Sequence, residues 1–223
     1  MRAGVGAVLA LGALCLSACK EKPELPALED VQAARQAAMR LDVKIRQDVL
    51  SRLDHESAVA VYLAYRDTVP GMVREAGREA GFDVRRIGLR VRSPANIPDE
   101  WEAAQMEQMD ALVSAGYDIS ILEKSEIVKE ITPEGERRWM RWIKPIGMSE
   151  DCMACHGDHV APEILTLLKQ DYVEDEATGY YEYEMRGAYS VRILLSGSPV
   201  GASPAPTSMP SPAPTFVEPS PVF

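Results

Sequence analysis

Residues 152 to 156 read Cys152, Met153, Ala154, Cys155, His156, and these five residues constrain the chain more than any other stretch. Two thiols three positions apart can each add to one vinyl group of the same porphyrin while the adjacent imidazole reaches the iron, so the spacing is that of covalent haem attachment. Neither cysteine can move without breaking the fit. Other readings compete with it. Cys152, Cys155 and His159 also have the spacing of half a zinc site, but a closed structural site wants four ligands, and only His156 and His55 remain as nitrogen donors. A redox dithiol belongs beside a strand-to-helix pattern of the thioredoxin kind, and none is visible. The expectation is one covalent haem c, attached through Cys152 and Cys155, with His156 as the proximal iron ligand.

The N-terminus supplies the compartment that such attachment requires. Arg2 precedes a run of Ala, Gly, Val and Leu from Ala3 to Leu14, too short to span a bilayer and shaped like the apolar core of a secretory signal. The run ends in Leu16, Ser17, Ala18, Cys19, which resembles the bacterial lipobox, so residues 1–18 read as a signal peptide and Cys19 as the lipidated first residue of a tether over 19–29. Two or three acyl chains on one residue anchor a protein stably. The competing reading is an ordinary cleaved signal. Lys20 stands where an aspartate commonly retains lipoproteins in the inner membrane, which favours the outer one. With Cys15 removed, Cys19 lipidated and two cysteines on haem, no thiol is left for a disulfide. The expected location is therefore periplasmic, with the membrane as a partner.

Of the charged residues, 24 are basic and 34 acidic, giving a net charge of −10 with no basic block, so nucleic acid is excluded as an expected partner. The acidic balance suits solubility and a positively charged redox partner. From Ser196 onward the chain turns to Gly, Ser, Pro, Ala and Thr, and the segment 196–223 reads as an extended tail unable to bury enough to order itself. Residues 30–195 remain, enough for one domain with its own core.

That domain reads as α+β. Ala34, Ala38, Leu41, Ile45, Val49 and Leu53 mark one face of a long helix beginning near Leu28. A second helix is expected from Glu56 to Glu79 with a bend at Pro70 and Gly71, and a third from Pro98 and Asp99 to Gly116. Strand alternation follows over Asp118 to Thr132 and Arg137 to Ile146, turning at Pro133, Glu134 and Gly135. A short helix from Pro162 to Tyr172 comes next. Tyr181, Tyr183, Met185 and then Tyr189, Val191, Ile193 read as a last hairpin about Arg186 and Gly187.

The segment from Arg92 to Glu102, with Asn96, Pro98, Asp99 and Trp101 at its fixed positions, resembles the "RNPxNxPDxWE" element of a bacterial periplasmic c-type haem family, known as a domain of unknown function with a PAS-like fold. Lys144 and Pro145 before the haem string, Gly157 after it, and the later runs Asp175 to Tyr180 and Arg186 to Ser190 resemble that family's "DxATGY" and "RGAxS" elements. Three motifs agreeing in order are far more specific than one. The resemblance implies a PAS-like antiparallel sheet behind long N-terminal helices, carrying one haem used in redox or ligand sensing, and no enzymatic activity.

The family often places a cysteine, a candidate second axial ligand, where Tyr65 aligns here. Tyr65 is then either a phenolate ligand of ferric iron or an aromatic packing on the porphyrin. His55 lies almost three helical turns away and His159 too close to His156 to reach the opposite face. Met72, Met106, Met109, Met140, Met148, Met153 and Met185 are more often core filler. Arg90, Arg92 or Arg186 is expected to approach the haem propionates, since a buried carboxylate needs a charged or hydrogen-bonded partner. With no strong second ligand in evidence, the favoured role is redox or small-ligand sensing read out by a separate signalling protein. A mono-haem electron-transfer cytochrome is the alternative. A peroxidase, needing distal proton-transfer groups such as Arg66 or Arg74, is the least supported.

Overall fold

A computed structural model describes residues 23–197. The lipobox, Cys19 and the Pro-rich segment beyond Gly197 lie outside the described residues. Helix α1 (Leu28–Leu53) forms on the apolar face the sequence marks, burying Ala34, Ala38, Leu41 and Ile45. Helix α2 (Ala58–Ala80) starts on the Ser57 side chain, which accepts the Ala60 N–H, runs through Pro70, and stops at Gly81 with φ +78°, a left-handed conformation that glycine adopts without steric cost. No described helix is long and apolar enough to cross a membrane.

Four antiparallel strands follow. They are β1 (Asp83–Ile87), β2 (Lys124–Thr132), β3 (Gly135–Gly147) and β4 (Met185–Ser196), in the order β1-β4-β3-β2. Between β1 and β2 lies α3 (Glu100–Ser114), and between β3 and β4 lie α4 (Glu150–His156) and α5 (Pro162–Asp171). The class is the α+β arrangement expected, with long helices preceding an antiparallel sheet. One sheet face carries Met140, Trp142, Tyr189 and Val191 against Leu41 and Ile45 of α1 and Val69 of α2. The opposite face packs Ile143, Met185 and Ala188 against Met106 and Met109 of α3. Each such fully buried large side chain contributes on the order of 1.5–3 kcal/mol.

The structure departs from the sequence reading in three places. Asp118 caps a short 3-10 turn, its carboxylate accepting the Ser120 N–H at 2.8 Å, so β2 begins only at Lys124. The expected terminal hairpin is one strand, β4, which enters the middle of the sheet between β1 and β3. Tyr181 and Tyr183 stay outside it and exposed. Their alternation reflects a turn in which Tyr183 takes φ +72° and the Met148 N–H bonds to Glu184 O at 2.8 Å. The third departure is β1, unexpected because three of its five residues, Asp83, Arg85 and Arg86, are charged.

The Asn96 to Glu102 element is structural. Asp99 and Glu102 form a reciprocal capping box at the start of α3, which satisfies two otherwise orphaned helix N–H groups. Glu102 is buried and pairs with Arg85 at 2.8 Å and Arg141 at 3.3 Å, while Arg141 lies 4.4 Å from the Trp101 ring centre. The Asn96 carbonyl accepts Gly88 N–H at the end of β1. This segment therefore fixes β1 to β3 through α3.

Candidate functional site

Cys152, Cys155 and His156 sit on α4, whose first turn carries Glu150 and Asp151. Three-residue spacing puts both thiols on one helical face. Both are free in the structure. Cys155 packs into a cluster with Tyr62 of α2 and Ile164 and Leu168 of α5, and burial raises its thiol pKa. Cys152 packs beside Met148, Ala177 and Tyr180, with its sulfur 3.3 Å from Ser149 Oγ. That hydroxyl accepts a bond from Arg46 of α1, which in turn holds Asp42 at 3.0 Å. Gly157 ends the helix where a Cβ would lie 2.8 Å from Met153 O, so any larger residue would force the string apart.

The loop from Asp175 to Tyr180 fixes the imidazole. His156 Nδ1 lies 2.6 Å from Ala177 O. A carbonyl only accepts, so Nδ1 carries the proton and Nε2 is left with its lone pair available for a metal. Gly179 N–H to Gly157 O at 2.8 Å and Tyr180 N–H to His156 O at 3.0 Å tie the same loop to the helix end. Burial, then the nearby Arg186 and Arg92, push the His156 pKa well down, so the ring is neutral. Asp175 closes the loop by accepting Ala177 N–H at 2.9 Å and Arg92 Nε at 3.2 Å.

The three arginines named from the sequence all reach this region, in different states. Arg92 is ion-paired with Asp175 and donates to Cys155 O at 2.7 Å and Ala177 O at 3.2 Å. Arg90 donates to the carbonyls of Glu176 and Thr178 and stacks 4.0 Å from the Tyr180 ring centre. Arg186 has no carboxylate partner among the described residues. Its Nε is 3.2 Å from His156 Nδ1, but that nitrogen is already a donor to Ala177 O. Arg186 also hydrogen-bonds the Tyr180 side chain and makes a long 3.5 Å bond to Arg90 O. Burial and the neighbouring cations Arg86 and Arg92 hold the Arg186 pKa below its ordinary value, with Tyr180 opposing them.

Tyr65 points from α2 to Arg86 of β1, which donates to its hydroxyl. His55 is exposed, and so is His159, whose ring meets Asp158 at 2.9 Å. Neither converges with Cys152 and Cys155 on a metal cage, and among the described residues no group of three or more His, Cys, Asp or Glu does. Met106, Met109, Met140, Met148 and Met185 are core residues. Arg66 pairs with Asp67 and Asp171, and Arg74 is exposed. Sequence reasoning missed Arg86, Asp42 and Arg46. Only the inward register of an unrecognised strand would have revealed the first.

The model of a family described as Tll0287-like matches residues 22–193. The chain belongs to the Tll0287-like family. The crystal structure of the cyanobacterial haem protein Tll0287 is similar with a TM-score of 0.56 and 20% sequence identity, over 78% of this chain and 100% of that one. At that identity the likeness speaks for the fold alone. Among curated proteins, none matches this chain.

Proposed function

We propose that this member of the Tll0287-like family is a lipid-anchored periplasmic protein that binds one c-type haem and senses a redox change or a small ligand. The observation that carries the haem reading is the His156 arrangement: a neutral, half-buried imidazole whose Nδ1 proton is committed to Ala177 O, leaving Nε2 for iron. A second ring nitrogen bonded to a carbonyl is how ligating histidines are usually oriented. Two further features suit the cofactor. Cys152 and Cys155 share one face of α4, as two thioethers to one porphyrin require. Arg186 is a half-buried cation with no carboxylate partner among the described residues, as expected beside a propionate.

In this reading Cys152 and Cys155 hold the porphyrin, His156 ligates the iron, Arg92 and Asp175 keep the Ala177 carbonyl on the imidazole, and Arg186 offers its guanidinium to a propionate. The haem would supply a redox-active iron with one exchangeable position. Sensing is favoured over electron relay because no strong second ligand is offered among the described residues. Both other histidines are exposed, five of the seven candidate methionines are buried in the core, and the Tyr65 hydroxyl is engaged by Arg86. Electron-transfer haems benefit from two strong ligands that keep the iron geometry alike in both oxidation states. The Leu16 to Cys19 string supports lipidation at Cys19, and Lys20 favours the outer membrane. A protein of this kind needs a separate signalling partner to read it out.

The test is optical and electron-spin spectroscopy of the periplasmically matured protein in both oxidation states, with carbon monoxide added to the reduced form. High-spin iron that takes carbon monoxide is expected. Low-spin iron in both states that refuses it would replace sensing by electron transfer.

A further inference from the structure

Arg86 is the odd residue of the interior. It lies on β1 directly opposite Tyr189 of β4, with its guanidinium carbon 5.9 Å from the Tyr65 ring centre and 5.8 Å from that of Tyr189. One terminal nitrogen donates to the Tyr65 hydroxyl, while Nε is buried with no partner at all. No ion pair joins Arg86 to any carboxylate among the described residues. The nearby Asp42 is occupied, accepting from Arg46 Nε at 3.0 Å and from the Tyr189 hydroxyl at 3.0 Å.

Arg186 belongs to the same face through an irregularity of the sheet. The register between β3 and β4 passes from Ile146↔Gly187 to Gly147↔Met185, skipping Arg186. Met185 and Ala188 thus both pack towards α3, and Arg186 is turned the other way, to His156 and Tyr180. A bulge is a common device for re-aiming one side chain. Gly187 lets β1 approach there, since a Cβ would stand 2.3 Å from Ile87 O.

Counting charge around this face gives five arginines, Arg46, Arg86, Arg90, Arg92 and Arg186, against two engaged carboxylates, Asp42 with Arg46 and Asp175 with Arg92. Of the three cations left over, Arg90 donates to two carbonyls, while Arg86 and Arg186 each have an Nε without a satisfactory acceptor. Leaving such charges in a low-dielectric interior without counter-ions is costly. A haem brings two carboxylates. Resting on the haem reading above, we propose that Arg86 and Arg186 together form the binding site for the haem propionates, and that Tyr65 is the hydrogen-bonded prop of Arg86 and not an iron ligand. Arg90 and Arg92, already satisfied by carbonyls and Asp175, hold the loop instead.

The experiment compares the matured holoprotein with Arg86→Met, Arg86→Gln and Tyr65→Phe, measuring covalent haem content by mass and the reduction potential as a function of pH. Gln is the second choice because it keeps a donor for Tyr65 and removes only the charge. Loss of a cation beside the haem disfavours the reduced iron, so both Arg86 variants should show a lower potential, with a new pH dependence as the unpaired propionate titrates. Tyr65→Phe should keep the wild-type spin state and most of the potential. The proposal is overturned if a haem-loaded Arg86 variant keeps the wild-type potential and pH profile, or if Tyr65→Phe alone converts the iron spin state. A wild-type protein without haem would strike down the haem reading itself, a different failure.

Discussion

Asp175→Ala removes the carboxylate at the centre of the loop that orients His156. In the native protein the Asp175 and Arg92 side chains are only 10% and 11% exposed, and Asp175 also accepts Ala177 N–H at 2.9 Å. Removing one partner of a buried pair costs about 3–5 kcal/mol, because the other charge stays behind uncompensated. Arg92 keeps two carbonyl acceptors, Cys155 O and Ala177 O, so the low end, about 3 kcal/mol, is expected. For a chain of this size each kcal/mol lowers the midpoint by about 2–4 °C, which puts the expected drop near 6–12 °C. The assay is reversible thermal or urea unfolding of the purified protein. The double variant Arg92→Met with Asp175→Ala should be markedly less damaged than the sum of the single variants, since no charge is then buried alone. A single variant that loses less than about 1 kcal/mol, or a double variant equal to the sum, would refute the reasoning.

Glu102→Gln should destabilise by about 1–3 kcal/mol in urea unfolding, since it removes the buried charge between Arg85 and Arg141 while Arg141 keeps Asp99 at 2.7 Å and Arg85 is 38% exposed; an unchanged midpoint would contradict this role. Acid should weaken the fold through Asp99 and Glu123. Burial raises the Asp99 pKa, but the Arg141 bond and the Glu102 N–H more than offset it, and the Arg35 bond lowers that of Glu123. With both folded values depressed, their stabilisation is complete above the unfolded carboxylate range near pH 4 and is lost as pH falls through the folded values. Urea midpoints taken from neutral to acid pH should show it, and Asp99→Asn should flatten the profile. Gly187→Ala should abolish the folded protein, because its Cβ would lie 2.3 Å from Ile87 O. Soluble, wild-type-like material would show that the approach of β1 to β4 is not as tight as described.

The parts legible in the sequence were those where one signal acted alone. The periodicity of Ala34, Ala38, Leu41 and Ile45 gave α1 because one face is buried and the rest is solvated. Asp99 and Gly116 bracketed α3 through capping chemistry. Reading failed where tertiary contacts override local pattern. Arg86 in a five-residue edge strand looks like a solvated charge, yet register opposite Tyr189 turns it inward. Tyr181 and Tyr183 alternate like a strand, but a positive φ at Tyr183 turns the chain there. At the site, the Cys152 to His156 string could be read from spacing alone. The grip of Ala177 on the imidazole spans 21 residues and that of Arg92 on Asp175 spans 83, contacts which no local pattern encodes.

The most direct test of the central claim is the intact mass of the denatured chain after maturation in a host equipped to attach haem in the periplasm. One haem should remain bound through acid denaturation in the wild type and be absent when Cys152 and Cys155 are both replaced by serine. A wild-type chain that carries no haem, or sheds it on denaturation, would contradict covalent attachment at this site.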